Sequence, residues 1–437
     1  GLVIVADGKV AWAGGLGVAD RTSGRPVDAD TLWRVGSVTK SFTGLATLIA
    51  ARDHGFDLDA PVRTLVPDAP FENVWESTDP VRVGQLLEHT AGFMDLSKRE
   101  FDSTDPAPLT LAQAFAVDPT SRTVRWPPGR YSSYSNSGAG LAALVIERTT
   151  GQRYEDFVTT RILRPLGMRH AGFAPTTAND PRRATGYDSD GVTPMPYWHT
   201  LYRAFGGLDA TVGDMGAWVQ WLIDPARTPI VPAGDVLRME RPATTLAARA
   251  GLAHGYGLGL YRYVHDGIVF TGHGGDADGY LSRLGYHRAS RRGYFLVINA
   301  FRGEALRAMQ EAVEDALAAD IAQPDPPATP KVPASTLTAL AGCYAAVPQR
   351  FPGAASPEDP PLQVAVVDGG LVTITANGRL RALIAVGNNT FRRDDEPVAT
   401  SAFVDDDGRW MLQGEMGNLR RLGSAPHGPC SPARSKE

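Results

Sequence analysis

Cysteine is scarce in this sequence: the 437 residues contain two, Cys343 and Cys430, both in the C-terminal region. Because no C-x-x-C pair occurs, we do not expect a thiolate metal site. The two thiols can form a disulfide if the compartment is oxidising, and two free thiols fit the sequence equally well. The nine histidines include no H-E-x-x-H or H-x-H cluster, which argues against a helical zinc site. We therefore predict neither a metal nor another cofactor.

Long apolar runs and long basic runs are also missing. No stretch approaches the roughly 18 consecutive apolar residues of a membrane span. The formal net charge is -5, which gives no electrostatic case for a nucleic-acid partner. We therefore expect a small-molecule or peptide substrate as the partner, with no nucleic acid and no membrane span, and the oligomeric state stays open. The chain opens at Gly1 directly in a strand-like run, so we expect that a leader or other N-terminal segment has been removed.

The apolar pattern is strand-like at both ends of the first 320 or so residues and helical between them. Residues 1–20 indicate two antiparallel strands, and 37–54 indicate a helix that ends before Gly55. Further helices are expected in "RVGQLLEHTAG" and "SGAGLAALVIERTTG", each closed by a glycine. Strand character returns in "YGLGLYRYV", "IVFTGHGG", "GYLSRLGYH" and "GYFLVINA", and an amphipathic helix follows at 304–322. This order predicts an α+β fold, in which an antiparallel sheet built from both ends is flanked by helices and interrupted by a mostly helical insertion.

Composition changes sharply after the helix at 304–322. The segment "QPDPPATPKVPAS" is rich in proline and lacks apolar periodicity, which is typical of a semi-rigid linker. Beyond it, apolar and polar residues alternate between D-G and N-G turns, a pattern that favours a small all-β sandwich or barrel. We therefore divide the chain into a domain at 1–322, a linker at 323–336 and an all-β domain at 337–437.

The stretch "RVGSVTKSFTG" places Ser37 three residues before Lys40, where the first long helix is expected to begin. Positions i and i+3 are neighbours on a helix. A serine hydroxyl needs an adjacent base at neutral pH, and a lysine can serve if burial and nearby cations lower its pKa. The helix N-terminus favours negative charge developing on Ser37. Alternatively, Ser37 is a helix cap and Lys40 a solvated helix residue, and this motif alone does not decide.

A second motif, Tyr134-Ser135-Asn136, lies in the loop "PPGRYSSYSNSGAG" just before a predicted helix. Serine and asparagine in such a loop commonly cap helices and form turns. The functional interpretation gives Tyr134 a role in proton relay and Asn136 a hydrogen bond to substrate. A lysine near Tyr134 would make its proton easier to lose.

A third motif, His273-Gly274-Gly275, follows an apolar strand in "VFTGHGGDADGY". Its small residues leave room for a ligand along the strand edge. Taken alone, the motif is better explained as a glycine-rich turn between strands with an exposed histidine.

The three motifs in this order make the chain similar to a known family. With "WRVGSVTKSFTG", "LLEHTAGF", "PLGM" and "GHGGDADGY" around them, they resemble the serine β-lactamase and penicillin-binding superfamily. The similarity is specifically to its class C-like group of D-peptidases, aminopeptidases, amidases and esterases, and it covers roughly residues 1–320. The linker and β-domain resemble the lipocalin-like module found in many members. A generic serine hydrolase is disfavoured because no G-x-S-x-G occurs.

The resemblance implies catalytic roles by position. Ser37 is the nucleophile that forms an acyl-enzyme, and Lys40 is the base that activates it. Tyr134 relays a proton to the leaving group and later helps to activate water. The expected reaction is hydrolysis of amide or ester bonds by a peptidase, amidase or esterase, with D-amino-acid peptides among the substrates.

The resemblance also implies a substrate-binding set. Asn136 holds the acyl side chain of the substrate, and His273, Gly274 and Gly275 form the edge strand along which it lies. The oxyanion hole consists of the backbone N–H of Ser37 and that of Asp276, each such donor being worth typically ~3–4 kcal/mol.

One departure from the family pattern concerns charge. His273 stands where many relatives carry lysine, and a histidine is largely neutral at pH 7, which lowers the expectation of strong β-lactamase activity. Asp276 and Asp278 add negative charge, so we expect a preference for substrates that bear an amine. Arg283 counts against this, since it can bind a carboxylate. His89 in "LLEHTAG" is expected to support the fold.

Three alternatives remain open at this level. The protein can be a penicillin-binding or sensor protein that is acylated and turns over slowly, or a weak β-lactamase. The β-domain can instead be a ligand-binding module that regulates the hydrolase. The family suggests an extracytoplasmic location, periplasmic or secreted, and the sequence leaves a cytoplasmic one possible.

Overall fold

Six antiparallel strands form the central sheet, and both ends of the first 300 residues contribute to it. The computed structural model describes residues 1–105, 107, 109–174, 180–196, 198–347, 350, 360–375, 377–387, 389–415, 417–423 and 430. In spatial order the strands are Tyr261–His265, Ile268–Ala277, Tyr280–His287, Arg292–Ile298, Leu2–Ala6 and Lys9–Gly14. This sheet confirms the predicted α+β class.

Helices cover both faces of the central sheet. The amphipathic helix Gly303–Ala318 packs its Leu306 and Leu317 against one face, and the predominantly apolar helix Val212–Ile223 packs on the other. The remaining α-helices of the first domain are Thr39–His54, Val62–Leu65, Val83–Leu87, Lys98–Phe101, Leu111–Phe115, Asn136–Thr150, Tyr154–Val158, Arg203–Gly206, Ala233–Met239 and Leu246–Arg249.

Shorter elements connect these helices. A 3₁₀ turn at Gly36–Val38 precedes the first long helix, and others lie at Pro119–Arg122 and Pro225–Arg227, with a π-helical turn at Thr159–Leu163. The small strands are Val18–Asp20, Arg25–Pro26, Leu32–Arg34, Asp102–Ser103, Gly172–Phe173, His199–Thr200 and Leu208–Thr211.

The two long helices agree with the sequence pattern, and one shorter helix does not. Thr39–His54 ends at Gly55, which adopts a left-handed φ of 71°, and Asn136–Thr150 ends at Gly151 in the same way. The helix expected through "RVGQLLEHTAG" stops at Leu87 instead of at a glycine. His89 takes a φ of 59°, a left-handed conformation that interrupts a right-handed helix.

The C-terminal domain is a closed antiparallel barrel of eight strands, which agrees with the all-β prediction. A short helix, Ala334–Leu340, precedes it. The strands are Gly342–Ala346, Leu362–Val367, Gly370–Ile374, Leu380–Gly387, Thr390–Arg392, Ser401–Asp405, Trp410–Gly414 and Gly417–Arg421. Cys343 and Cys430 form a disulfide, which resolves the alternative that the sequence left open.

The barrel and the first domain share a small apolar interface. Ala402, Val404 and Met411 of the barrel pack with Trp126 and Tyr131 in one buried cluster. Burial of apolar side chains on both sides stabilises this contact. Within the part of the chain that the structure describes, no helix has the length and apolar character needed to cross a membrane.

Candidate active site

Ser37 lies in the 3₁₀ turn Gly36–Val38 and Lys40 in the first turn of the helix Thr39–His54, which begins two residues later than the sequence predicted, and their side chains are in contact. Lys40 Nζ donates a hydrogen bond to Ser37 Oγ over 3.0 Å and another to the Phe205 carbonyl oxygen over 2.8 Å. Lys40 is 2% exposed, which rules out the alternative in which it is a solvated helix residue. Burial lowers the pKa of its ammonium group far below the ordinary value, with Asp95 opposing the shift. A lysine in this state can accept the proton of Ser37 as a neutral amine.

Tyr134 lies against the same pair, with Lys40 Nζ 4.9 Å from the centroid of its ring. Sequence reasoning expected the lysine to lower the pKa of Tyr134. Burial instead raises the pKa of the phenol, and a hydrogen bond with Ser37 opposes this only in part. The reason is that a phenolate at this position would be desolvated. The neighbouring Lys40 is itself buried and its pKa is lowered, so it offers little positive charge to stabilise a phenolate. Tyr134 is therefore a neutral phenol near neutral pH.

Asn136 is held by a buried carboxylate at the start of the helix Asn136–Thr150. Its backbone N–H donates to Asp95 Oδ1 over 2.8 Å, and its side-chain Nδ2 donates to Asp95 Oδ2 over 3.2 Å. These bonds leave the Asn136 Oδ1 buried without a hydrogen-bond partner among the described residues. Because an unpaired buried acceptor is unfavourable, this oxygen is available to an N–H of a ligand.

His273 is a neutral residue with a defined tautomer. Its Nδ1 contacts the Gly274 carbonyl oxygen, an acceptor, so the proton lies on Nδ1. Its Nε2 then accepts from the Tyr256 hydroxyl over 2.6 Å. Burial lowers the pKa of His273 to about 3, and Lys40 acts in the same direction. His273 thus supplies no positive charge near neutral pH.

His89 packs against Tyr134, with ring centroids 4.2 Å apart. Its Nδ1 accepts the backbone N–H of Ser135 over 3.2 Å. Burial keeps the pKa of His89 well below its ordinary value, and the positive charge of Lys40 lowers it further. The ring packs against Tyr134 and anchors the second motif, which fits the supporting role that the sequence suggested.

The strand Ile268–Ala277 runs beside the turn that carries Ser37. Ser282 Oγ, on the adjacent strand, donates to the Val35 carbonyl oxygen over 2.8 Å. Gly36 has a φ of 55°, and a Cβ there would lie 3.0 Å from the Asp276 backbone nitrogen. A Cβ on Gly275 would collide with the Val35 carbonyl oxygen. The two glycines therefore let the backbones of Ser37 and Asp276 approach, as an oxyanion hole would require.

A cavity of about 700 Å³ opens over these residues. Six of the eight predicted site residues line it, while Lys40 and Gly275 lie just behind its wall. The other lining residues are Lys98, Phe101, Asp102, Trp198, Thr200, Phe205, Gly206, Tyr261, Ala277, Asp278, Arg283, Phe301 and Arg350.

Carboxylates cluster at one end of this cavity. Asp276 forms an ion pair with Arg283 over 3.1 Å, whereas Asp102 faces Asp278. Desolvation raises the pKa of Asp102 and the charge of Asp278 raises it further, against the effect of Arg34. Thr200 lines the same cavity with 4% exposure, and its Oγ1 has no hydrogen-bond partner among the described residues.

Sequence reasoning missed several residues of the site. Asp95 and Arg350 carry no motif, and Phe205 takes part through its carbonyl oxygen, which any residue type would offer. Tyr256, the partner of His273, lies in a segment noted only for strand character. Within the described ranges, no group of three or more histidine, cysteine, aspartate or glutamate side chains is placed to hold a metal ion.

Comparison with known proteins gives consistent matches. The family model described as Beta-lactamase matches residues 1–319. A D-aminopeptidase of Brucella anthropi is 30% identical over 308 residues, which are 70% of this chain and 56% of that protein. A D-aminopeptidase of Cereibacter sphaeroides is 29% identical over 299 residues, 68% of this chain and 55% of that protein. The chain thus spans about half the length of these curated relatives.

Among solved structures, an octameric penicillin-binding protein homologue from Pyrococcus abyssi aligns with a TM-score of 0.59 at 23% identity. The alignment covers 96% of this chain and 95% of that one. The similarity extends over both the first domain and the barrel, and it supports the fold.

Proposed function

The chain belongs to the Beta-lactamase family, and from this premise we propose that it hydrolyses amide or ester bonds through an acyl-enzyme on Ser37. The observation that carries the proposal is the 3.0 Å contact between Lys40 Nζ and Ser37 Oγ beneath an open cavity. A nucleophile, a base with lowered pKa, a phenol and nearby backbone donors are the groups that acyl transfer needs.

In the proposed acylation step, Ser37 Oγ attacks the carbonyl carbon of the substrate and its proton passes to the neutral amine of Lys40. The carbonyl oxygen takes the negative charge, which the N–H groups of Ser37 and Asp276 stabilise, each by typically ~3–4 kcal/mol. As the bond to the leaving group breaks, the phenol of Tyr134 gives its proton to that group and takes one from the Lys40 ammonium, which becomes a neutral amine again. Water then attacks the ester carbonyl carbon on Ser37, and its proton passes through Tyr134 to Lys40. The bond between that carbon and Ser37 Oγ breaks, Oγ regains a proton from Lys40, and the acid product leaves.

We propose peptides or amides with a free amine near the acyl group as the substrate class. Two relatives are named D-aminopeptidase, and Asp102 and Asp278 add negative charge at one end of the cavity. Arg283 is engaged with Asp276, which weakens the case for a carboxylate partner there. Thr200 lines the same cavity, and its buried Oγ1, which has no hydrogen-bond partner among the described residues, is a further acceptor near an ammonium group bound there.

A second candidate is a protein that is acylated by penicillins and turns over slowly. The raised pKa of Tyr134 supports it, since a neutral phenol that resists ionisation is a weak base for activating water. A weak β-lactamase would follow from the same chemistry. We also propose an extracytoplasmic location, which the disulfide between Cys343 and Cys430 favours.

The decisive experiment treats the protein separately with a fluorescent penicillin and with a fluorophosphonate, and measures the intact mass. Ser37→Ala tests the nucleophile, and Ser23→Ala, at an exposed serine, is the matched control. We expect one adduct per chain that is lost with Ser37→Ala and kept with Ser23→Ala. Decay of the penicillin adduct separates an enzyme from a slow-turnover protein. If neither reagent gives a Ser37-dependent adduct, the proposal is wrong.

The substrate class is tested with D-alanine p-nitroanilide and its N-acetylated analogue. We expect the free amine to give the higher kcat/KM, and Asp102→Asn to reduce that preference because one carboxylate charge is removed. Asp105→Asn, at an exposed aspartate outside the cavity, is the control. A strong preference for peptides with a free C-terminal carboxylate would contradict the proposal.

A further inference from the structure

The barrel contacts the segment that leads directly into the second motif. Tyr131 Oη donates to Asp406 Oδ2 over 2.9 Å, and Arg130 forms an ion pair with the same carboxylate. Asn418 of the barrel donates to the Ser132 carbonyl oxygen over 2.7 Å and accepts the Ser132 N–H over 3.2 Å. The residues just before Tyr134 are thus held by the C-terminal domain through both backbone and side chains.

The same domain also places the guanidinium group of Arg350 at the candidate active site. Arg350 follows the barrel strand Gly342–Ala346, and its Nε donates to Asp95 Oδ2 over 2.6 Å across 255 residues of sequence. Its carbonyl oxygen accepts the Asp95 N–H over 3.1 Å. Backbone and side chain both join Arg350 to Asp95, so the contact has a defined geometry.

Asp95 connects Arg350 to the second motif through hydrogen bonds with Asn136. Its side chain is completely buried and accepts hydrogen bonds from the backbone N–H and the Nδ2 of Asn136. A buried carboxylate without a cation carries a large desolvation penalty and tends to move toward water. A displaced Asp95 would no longer hold both N–H groups of Asn136. Asn136 lines the cavity, and its Oδ1 is a buried acceptor without a hydrogen-bond partner among the described residues, so the orientation of this amide depends on Arg350 through Asp95.

We propose that the C-terminal barrel completes the hydrolase site through Arg350, a positioning residue that fixes the amide of Asn136 by way of Asp95. The guanidinium also lies 4.7 Å from the centroid of the Tyr134 ring, where it can restrain that side chain. The barrel is thereby part of the machinery that selects and orients the acyl group of the substrate.

This inference rests on the proposed acyl-enzyme function, and its test uses two esters with one leaving group. The acyl parts are an N-acetyl-D-alanyl group and the matching group in which an oxygen replaces the N–H. If Asn136 Oδ1 accepts that N–H, Arg350→Gln should lower kcat/KM about tenfold on the first ester and by less than about threefold on the second. Arg350→Lys, which keeps the charge, should restore part of the loss.

Three controls make the result specific. Arg381→Gln removes a barrel arginine whose ion pair with Asp395 is partly exposed and lies outside the cavity, so it should leave both rates unchanged. Asp95→Asn should reproduce the selective loss, and adding Arg350→Gln to it should cause little further change. Fluorophosphonate labelling of Ser37 in the wild type shows separately whether the acyl-enzyme premise holds.

Each outcome decides the matter. Equal losses on both esters, or a loss that Arg381→Gln shares, would mean that Arg350 supports the structure in general, and the positioning role would be refuted. Unchanged rates in Arg350→Gln would refute it as well. A wild type without Ser37-dependent labelling would remove the acyl-enzyme proposal itself, whatever Arg350 does.

Discussion

Burial sets the protonation states of the site residues at the scale of single side chains. Lys40, His89 and His273 all have lowered pKa values because little water reaches them, and each charge would disfavour the others. These three side chains can each carry a positive charge, but their lowered pKa values favour the neutral forms, so they can lie close together without strong repulsion. The arrangement leaves Lys40 able to act as the proposed base and His273 as a neutral hydrogen-bonding residue.

Acylation should therefore follow the titration of Lys40. Because only the neutral amine accepts the Ser37 proton, the second-order rate constant of acylation should rise with pH through the lowered pKa of Lys40 and then level off. Asp95 raises that pKa, so Asp95→Asn should move the rise to lower pH. A pH profile of fluorophosphonate labelling measures this. A rise that stays in place or moves to higher pH in Asp95→Asn would contradict the assignment.

His273 should remain neutral well below the pH at which an ordinary histidine gains its proton. Its pKa is lowered to about 3 in the folded protein, against about 6.5 in an unfolded chain. The unfolded state therefore binds more protons between these values, and the stabilising contribution of neutral His273 is lost as pH falls from about 6.5 toward 3. NMR of ¹⁵N-labelled histidine should show protonated Nδ1 and no titration above about pH 4. A midpoint near 6.5 would show that burial does not keep His273 neutral.

At the scale of elements, the turn between the strand Leu32–Arg34 and the helix Thr39–His54 decides whether the motifs can meet. Gly36 precedes Ser37, the proposed nucleophile, with a left-handed backbone and lies against the strand Ile268–Ala277. Gly55, at the other end of the helix, shares the left-handed conformation but has open space around it. Alanine at Gly55 would therefore introduce backbone strain alone, whereas alanine at Gly36 would introduce both backbone strain and a close contact at the site.

Gly36→Ala should impair both folding and catalysis, whereas Gly55→Ala should affect stability alone. Each alanine would pay roughly 1–2 kcal/mol for the left-handed conformation. At Gly36 the added Cβ would also press on the Asp276 amide and move one side of the proposed oxyanion hole. Thermal melting and Ser37 labelling rates measure the two effects. Normal labelling in Gly36→Ala, or impaired labelling in a folded Gly55→Ala, would show that this packing does not matter.

At the scale of the whole molecule, the barrel and the first domain share the candidate site. The barrel supports the segment before Tyr134 through Asp406 and Asn418, and it supplies Arg350 to Asp95. Its own closure includes the disulfide between Cys343 on the first strand and Cys430 beyond the last. Loss of the folded barrel would therefore also remove the contacts that hold the segment before Tyr134 and Asp95 in place.

Removal of the disulfide should destabilise the barrel. The bond joins residues 87 apart in sequence, and a loop of that length lowers the entropy of the unfolded chain by an amount worth about 4–5 kcal/mol. The variant with Cys343→Ser and Cys430→Ser should unfold at a lower temperature than the oxidised wild type. Reduced wild type should match the variant. Equal melting temperatures in oxidised and reduced protein would show that the bond contributes little to stability.

Much of the candidate site follows from local sequence. The spacing of Ser37 and Lys40 makes them neighbours on a helix, since positions i and i+3 meet on any helix surface. Gly55 and Gly151 end their helices because glycine accepts the left-handed conformation at no steric cost. Alternating apolar residues likewise indicated the strands of both domains. The order of the three motifs completed the assignment to a family.

Contacts between distant segments were decided only by the tertiary structure. Nothing in the periodicity around Asp95 or Arg350 indicates that they meet, because their contact spans 255 residues and lies in irregular backbone. The raised pKa of Tyr134 had the opposite direction to the sequence-based expectation, because desolvation depends on what surrounds the ring in space. Sequence thus determined which chemical groups are present and which lie one helical turn apart. Packing determined their protonation and their partners, because burial and long-range contact exist only in the folded chain.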